Sequence, residues 1–480
     1  MSDLLESALN PRSVAVIGAS ENPNKIGGRP ILYMQRQGYK GKIYPINPTR
    51  TEVQGLKCYA KLADLPEVPE VALIVVAGDA AVAAVDECAA LGVKAAVVLA
   101  SGFGEVDEAG QAMQRKWAQI AARTGMRVYG PNTQGLANFG CGAILSFSTM
   151  FIEVPPMDGP VAVISQSGGM SAMAYGLLRG RGIGVRHVHA TGNEADVTVS
   201  EMAWAIAHDP EIRLMLLYME SVAKPEVLAR TAAYARERGL PIVAVKAGRT
   251  AVGQKAAASH TGSLPNDEAK VEAFFRQHGI CRVDDPHALA LAAEGYLKGW
   301  KPAGRRLVVI SNSGASCVMA ADAADRLGLQ LARLAPATEA TIRKSLPGFA
   351  TTSNPIDITA ALLTNSGLFG EVLPAVAGDP AADMFFINIP VAGAGYDIDR
   401  FARDAAAFEA LTGKPVAVAA WQEPVAAAFR ARGVATFANE TQALGVLAQI
   451  ADHTEMLRRP PGEWPAPGAA IDLAPQRSAT

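Results

Sequence analysis

The residues of this chain best suited to chemistry lie in one short segment, Ser259-His260-Thr261-Gly262-Ser263, which follows the glycine- and alanine-rich run 253–258. A neutral imidazole is a competent phosphoryl nucleophile when a carboxylate orients its other ring nitrogen. Ser259, Thr261 and Gly262 offer hydroxyls and amides to a phosphate. The small side chains before them leave little to pack, so a mobile loop carrying His260 is expected. Glu220 is the candidate orienting carboxylate, because it lies just past the apolar run 214–218, whose carboxyl end should face the same crevice. A capping or edge carboxylate would look the same at that position.

A second anion-binding device is Ser165-Gln166-Ser167-Gly168-Gly169, which follows one apolar run and opens a helical one. First-turn amides and the helix dipole favour a negative charge there. The turn Ser311-Asn312-Ser313-Gly314 is nearly the same and has nothing reactive nearby, so the turn alone does not define a site. A third device is Gly18-Ala19-Ser20 with Lys25-Ile26-Gly27-Gly28, directly after the first apolar run. It is not GxGxxG. The next run ends in Asn47, where an NAD-binding domain places a carboxylate for the ribose, and Arg50 adds positive charge. A nucleotide with a 3′-phosphate, such as CoA, suits that pattern better than NAD does.

These devices need parallel strands to bring them together. Short β-branched runs alternate with alanine- and leucine-rich stretches of helical length, the pattern of βαβ units. The first block offers strands at 13–17, 42–46, 72–76, 95–99 and 127–129, with helices at 80–91 and 109–123. Three prolines and a glycine in 154–160 interrupt it. The second block offers strands at 161–165, 185–189, 214–218 and 241–246, with helices at 170–181, 199–207 and 227–237. The third starts at Arg306 and resembles the second, with 161–169 matching 307–315, 193–197 matching 354–358 and 239–245 matching 413–419. We therefore expect an α/β protein: an N-terminal Rossmann-like domain over 1–155, two flavodoxin-like parallel-sheet domains over 156–302 and 303–458, and a disordered tail over 459–480. The histidine segment has no counterpart in the third block, so the chemistry is assigned to the second.

The bulk composition narrows the partners. A chain of 480 residues, 50% of them hydrophobic, can bury two to four cores of roughly 100–200 residues each. With 44 basic against 46 acidic residues and a net charge of −2, no broad field attracts nucleic acid or an anionic membrane. No apolar run reaches the roughly 18 residues of a membrane span, and the first twelve residues do not form a signal peptide, so a cytoplasmic protein is expected. The 5 cysteines lack CxxC spacing and fit buried reduced thiols, with no metal site.

Jointly, Gly18-Ala19-Ser20, Tyr44-Pro45-Ile46-Asn47-Pro48, Ser101-Gly102-Phe103, Gly130-Pro131-Asn132, Ser165-Gln166-Ser167-Gly168-Gly169, Gly192-Asn193-Glu194-Ala195-Asp196, Lys246-Ala247-Gly248-Arg249, Ser259-His260-Thr261-Gly262-Ser263 and Asn354-Pro355-Ile356-Asp357 resemble the α subunit of ADP-forming acetate and acyl-CoA synthetases, within the succinyl-CoA synthetase superfamily. The resemblance runs in unbroken order from about residue 2 to 454. It implies an acid–thiol ligase in which acyl-CoA and phosphate give an acyl phosphate, the phosphoryl group moves to a histidine, and the phosphohistidine segment carries it to an ATP-grasp domain to phosphorylate ADP. His260 would be that histidine, Glu220 would stabilise its phosphorylated form, and Ser165, Gln166, Ser167, Gly168 and Gly169 would hold the phosphoryl group. CoA would lie across Gly18, Ala19, Ser20, Lys25, Ile26, Gly27, Asn47, Arg50, Val76, Ser101, Gly102 and Asn132.

Two departures bear on the transfer. No ATP-grasp block follows the third domain, so turnover is expected to need a separate β subunit holding ADP or ATP with Mg, in a hetero-oligomer. Succinate-type relatives carry Thr-Tyr-Glu after the phosphate turn, whereas Met170-Ser171-Ala172-Met173-Ala174 stands here. Succinate is therefore not the expected acid, and acetate, branched and aryl acids stay open. The competing expectation is a CoA-binding regulatory or scaffold protein that keeps the ligase fold without turnover.

Overall fold

The computed structural model describes the backbone of residues 2–261, 266–460 and 470–475; the side chains of 2–4 and 258–261 lie outside the described residues. In the first sheet, strands β1 (Ser13–Ile17), β2 (Lys42–Ile46), β3 (Val71–Ile74), β4 (Ala95–Val98) and β5 (Arg127–Tyr129) pair in the order β2-β1-β3-β4-β5, all parallel. Val14, Ala15, Val16 and the whole of Val71–Ile74 are buried. Near-continuous apolar strands of this kind are what a parallel sheet covered on both faces requires. The order reverses between β1 and β3, and a doubly wound sheet opens its ligand crevice at the carboxyl ends of such a pair.

An antiparallel hairpin follows, β6 (Gly135–Asn138) with β7 (Ala143–Ser146). The second sheet is built from β8 (Val161–Ser165), β9 (Val185–Ala190), β10 (Leu214–Met219), β11 (Ile242–Lys246) and β12 (Cys281–Val283), in the order β12-β11-β10-β8-β9. The hairpin joins this second sheet, with Leu136 opposite His189 and Asn138 opposite His187. Gly135 makes the hairpin possible: its φ is +97°, and a Cβ there would sit 1.9 Å from the Leu145 carbonyl. The alternating pattern did not announce this hairpin, because its strands have only four residues each and glycines at 135, 140 and 142 break their runs.

Both sheets belong to one compact unit, Met1–Ala290 with Pro461–Thr480. One apolar core is shared by the two sheets, including Val14, Leu73 and Val97 from the first and Ile164, Met215 and Leu217 from the second, and another, including Ala15, Ala72, Ile74 and Trp117, covers the opposite face of the first sheet. The other unit, Leu291–Pro460, contains β13 (Arg306–Ser311), β14 (Gln330–Leu331), β15 (Ile356–Asp357), β16 (Met384–Asn388), β17 (Val416–Ala419) and β18 (Thr436–Phe437). They pair in the order β14-β13-β16-β17-β18, with β15 also on β13. With the hairpin β6-β7 and strand β15 set aside, the three large sheets share one strand order, and the α/β parallel-sheet fold read from the sequence is the fold observed.

The tail departs from expectation in part. Residues 470–475 are not disordered: the Asp267 amide donates to the Leu473 carbonyl at 2.8 Å, Lys270 Nζ donates to the Ala474 carbonyl at 2.7 Å, and Leu473 is buried. A single leucine in a stretch rich in proline and alanine finds a place in the core, which composition alone does not reveal. Residues 461–469 and 476–480 lie outside the described residues. Among the described residues, no helix is long and apolar enough to cross a membrane. The five cysteines are free thiols, four of them buried and Cys141 half-buried.

The second sheet also buries a histidine pair on β9. His187 Nε2 lies 3.0 Å from Asp209 Oδ2, and His187 Nδ1 lies 3.0 Å from His189 Nε2. With Asp209 accepting from Nε2–H, His187 Nδ1 accepts from His189, and His189 Nδ1 has no hydrogen-bond partner among the described residues. Burial pushes the His189 imidazole well below its usual pKa. The unfolded chain therefore takes up this proton first as pH falls, and the native state loses stability below about pH 6.5, by up to about 1.4 kcal/mol per pH unit. Thermal melts from pH 7.5 to 5 should show a shallower loss for His189→Gln than for the wild type, and parallel curves would refute the assignment.

Candidate functional site

The carboxyl ends of the strands in both sheets of the first unit open into one cleft of about 510 Å³. Ile26, Val75 and Ala77 with Leu99, Ala100 and Ser101 line it from the first sheet, Asn132, Thr133, Gln134 and Phe147 from the segment between the sheets, and Gln166–Gly169, Gly192, Asn193 and Glu220 from the second. Of the residues singled out from the sequence, Ile26, Ser101, Asn132, Gln166, Ser167, Gly168, Gly169 and Glu220 are brought together here.

Gln166 and Glu220 follow β8 and β10, the pair across which the second sheet reverses its order, so the crevice rule places both at the mouth. Ser167 caps the helix Gly168–Gly180, its hydroxyl accepting from the Met170 amide at 3.4 Å. Gly168 is required, because a Cβ would come within 2.5 Å of Gln134 Cγ; at Gly169 only Ser167 Oγ lies near, at 3.9 Å. The helix end therefore faces open space with a favourable dipole for an anion. Ser165 itself is buried, accepting from the Ser167 amide at 3.0 Å and donating to the Ser167 carbonyl at 2.6 Å, and so shapes the turn from beneath.

The first-sheet residues form a separate turn. Gly18, at φ +91°, lies against Val76, whose Cγ1 would be 2.9 Å from a Cβ at Gly18, while a Cβ on Gly27 would come within 2.2 Å of the Gly18 carbonyl. The Gly18 and Ala19 amides both donate to the Ile46 carbonyl at 3.1 Å, and the Ser20 amide to the Gly27 carbonyl at 3.3 Å. Asn47 Nδ2 donates to the Ala19 carbonyl at 2.9 Å, which makes Asn47 a brace of the turn. Lys25 and Arg50 are exposed on the loops beside it. At Gly102 the amide donates to Glu105 Oε1 at 2.6 Å, and Glu105 Oε2 accepts from Asn193 Nδ2 at 2.5 Å. Gly102 thus contributes to the loop around Asn193 and does not line the cleft.

The histidine segment differs from expectation. Where a loop was expected, a helix spans Ala251–Thr261. Alanine is the best helix former, and the Thr250 hydroxyl accepts from the Gly253 amide at 3.1 Å in the manner of a cap. Val252 is 81% exposed, and none of the described side chains 251–257 of this helix is buried. The side chains of Ser259, His260 and Thr261, and all of Gly262, lie outside the described residues. The chain beyond is anchored next to Glu220, because Asn266 Oδ1 accepts from the Val222 amide at 2.7 Å. Lys246 is buried at the end of β11 and donates to the Ala247 carbonyl at 2.7 Å; burial lowers its pKa against the pull of Glu268 and Glu220.

Glu194, within the motif Gly192-Asn193-Glu194-Ala195-Asp196, has a role that the sequence does not announce. Its backbone is left-handed, φ +56°, a strained state for a residue with a side chain. Its carboxylate accepts from the Val199 amide at 2.7 Å, Gln166 Nε2 at 2.8 Å and Thr191 Oγ1 at 2.9 Å. Burial pushes its pKa up to about 7 against those hydrogen bonds, with the Glu201 charge adding to the rise. The aligned third-block position is Pro355, and that difference between two otherwise similar segments was the available signal.

Comparison with known proteins agrees with this architecture. The model of a CoA binding domain matches residues 12–138, that of a succinyl-CoA ligase like flavodoxin domain 158–295, and that of a ligase-CoA domain 307–366. The acetate–CoA ligase (ADP-forming) II subunit alpha of Pyrococcus furiosus is 33% identical over 360 residues, covering 75% of this chain and 77% of that protein. The chain belongs to the family of ADP-forming acetate–CoA ligase α subunits. A solved structure of dinucleotide forming acetyl-coenzyme A synthetase 1 from Ca. Korarchaeum cryptofilum, in complex with phosphate and ADP, superposes with a TM-score of 0.85 at 30% identity, covering 95% of this chain and 98% of that one. Some family members are longer. Against trans-feruloyl-CoA synthase FCS1, from an unknown prokaryotic organism, identity is 33% over 376 residues, and the chain spans about half of that protein's length, 53%.

Proposed function

We propose that this chain is the α subunit of an ADP-forming acyl-CoA synthetase, catalysing acyl-CoA + phosphate + ADP ⇌ acid + CoA + ATP with a separate ATP-grasp β subunit. The observation that carries the reading is the shared cleft, in which a capped helix N-terminus and Glu220 from the second sheet face the strand ends of the CoA-binding first sheet. A phosphate oxygen held at Ser167-Gly168-Gly169 attacks the thioester carbonyl carbon, the C–S bond breaks, and CoA leaves as the thiolate and takes a proton. A ring nitrogen of His260 then attacks phosphorus, the acid leaves as its carboxylate, and the Glu220 carboxylate orients and balances the phosphoimidazole. The nucleotide and its Mg belong to the partner; the two Pyrococcus furiosus relatives, named as α subunits, support such a partner. CoA lies along Gly18-Ala19-Ser20, with Lys25 and Arg50 available to its phosphates. Relatives are named for acetate, ferulate and 4-hydroxybutyrate, and the uncharged segment Met170-Ser171-Ala172-Met173-Ala174 after Gly169 fits a site for monocarboxylic acids, succinate being disfavoured.

The test needs no nucleotide. Purified chain mixed with acetyl-CoA and labelled inorganic phosphate should acquire protein-bound label that is acid-labile and base-stable. CoA binding without label, also in the presence of candidate β subunits and labelled ATP, would replace this reading by that of a CoA-binding scaffold.

A further inference from the structure

The backbone of the Glu220 turn is held by a side chain that has no role in the scheme above. Gln166 Oε1 accepts from the Glu220 amide at 2.5 Å and from the Ser221 amide at 3.0 Å. Two backbone donors on one oxygen fix the orientation of the amide. Its Nε2 must then face away from them, and it donates to Glu194 Oε2 at 2.8 Å and to Ser221 Oγ at 3.3 Å. Glu194 is fixed in turn by donors from Thr191 and Val199 on its other oxygen, Oε1.

We propose that Gln166 and Glu194 are positioning residues for Glu220: Glu194 locks the Gln166 amide in one orientation, and Gln166 uses its oxygen to set the Glu220-Ser221 backbone, and hence the carboxylate, against the phosphoryl site. The inference rests on the reading of Glu220 given above. Three features support it beyond proximity. The ordered chain of donors and acceptors runs from Glu194 to Glu220 without a break. Val199, Gln166 and Thr191 all act as donors to the Glu194 carboxylate, so the ionised form is the one that fits, although burial pushes its pKa up to about 7. Glu194 is also held at φ +56°, and such strain persists where the surroundings over-determine it and clusters at functional sites.

The chemistry of the pair supplies its own control. In Glu194→Gln the new amide keeps Thr191 and Val199 on its oxygen and turns its NH2 toward the NH2 of Gln166, donor against donor. In Gln166→Glu two carboxylates meet. In the exchanged pair, Gln166→Glu with Glu194→Gln, the residue at 166 still accepts from Glu220 and Ser221, and the hydrogen bond to 194 re-forms with its direction reversed.

The experiment measures the rate of labelling from acetyl-CoA and labelled phosphate, the KM for acetyl-CoA, and thermal melting for the wild type, the two single variants and the exchanged pair. Displacement of a reacting group by a fraction of an ångström to an ångström costs up to about 10²-fold, so Glu194→Gln and Gln166→Glu should label roughly 10- to 100-fold more slowly at little-changed KM, and the exchanged pair should recover most of the loss. Labelling of Glu194→Gln at the wild-type rate, or an exchanged pair no faster than the slower single variant, overturns the proposal. If the singles fail to fold, Thr191→Val removes one donor to Glu194 and should show a smaller fall with the same KM pattern; an unchanged rate there counts against the proposal equally. A wild type that takes no label refutes the function itself, which is a different outcome from any of these.

Discussion

His260→Ala should leave the chain folded and able to bind CoA, yet abolish protein-bound phosphate, a fall of at least roughly 10⁴-fold in labelling. The imidazole is the protein's own nucleophile in the scheme, the group that attacks phosphorus, and an alanine offers no lone pair to take its place. None of the described side chains of the helix Ala251–Thr261, those of 251–257, is buried, and Val252 is 81% exposed. Glu220→Gln should be milder and more informative. It keeps the shape and the backbone hydrogen bonds to Gln166 but removes the charge that orients the imidazole. Loss of an orienting carboxylate of this kind costs up to about 10⁴-fold, and the label on Glu220→Gln should form slowly and hydrolyse faster. Full labelling of His260→Ala would move the nucleophile elsewhere and remove the basis of the proposed reaction.

How far the site could be read in advance depended on how local each signal was. Strand and helix periodicity placed β8 and β10 within a residue or two, and because the crevice of a doubly wound sheet lies at its strand ends, Gln166 and Glu220 followed from the sequence. The glycines at 168 and 18 are legible in the sequence as parts of anion-binding turns, whereas the close approach of Gln134 and Val76 to them is not. Asn47 was read for its missing charge, and the structure shows it bracing the turn through Ala19 instead. The helix at Ala251–Thr261 was misjudged because glycine and small side chains were weighed above the intrinsic preference of consecutive alanines. Glu194 was missed for a different reason. Its importance lies in Gln166, Thr191 and Val199 converging on one carboxylate, a three-dimensional coincidence with no periodicity behind it.

The same holds for the residues that join the first sheet to the second, and here the largest stability effect is expected. Arg127, on β5, reaches two acids of the second sheet's segment: Nε donates to Asp196 Oδ2 at 2.8 Å, and Nη2 to Asp196 Oδ1 at 3.1 Å and Glu201 Oε1 at 2.9 Å. The three side chains are only 10%, 13% and 6% exposed. Asp196 also accepts from the Val128 amide at 3.0 Å, and Glu201 from Lys224 Nζ at 2.7 Å and from the Thr198 amide at 3.1 Å, which closes the capping box of the helix Val199–Ile206. Arg127→Met fits the space but leaves Asp196 buried without its cation and Glu201 with Lys224 alone. Breaking one side of a buried pair costs about 3–5 kcal/mol, which in a unit of this size lowers the melting temperature by roughly 10 °C. The double variant Arg127→Met with Asp196→Asn should recover part of that loss, because an uncharged amide costs less to bury than an unpaired carboxylate. The loss should also reach the chemistry. Asp196 lies two residues from Glu194, and the Ala195 and Val197 amides are pinned to the Gly130 and Val128 carbonyls. Loosening Arg127 therefore releases the segment that carries Glu194, and CoA binding and labelling should both fall at temperatures below the melt. A variant that melts within a degree or two of the wild type would show that the ion pairs of Arg127 add nothing to the cohesion of the two sheets.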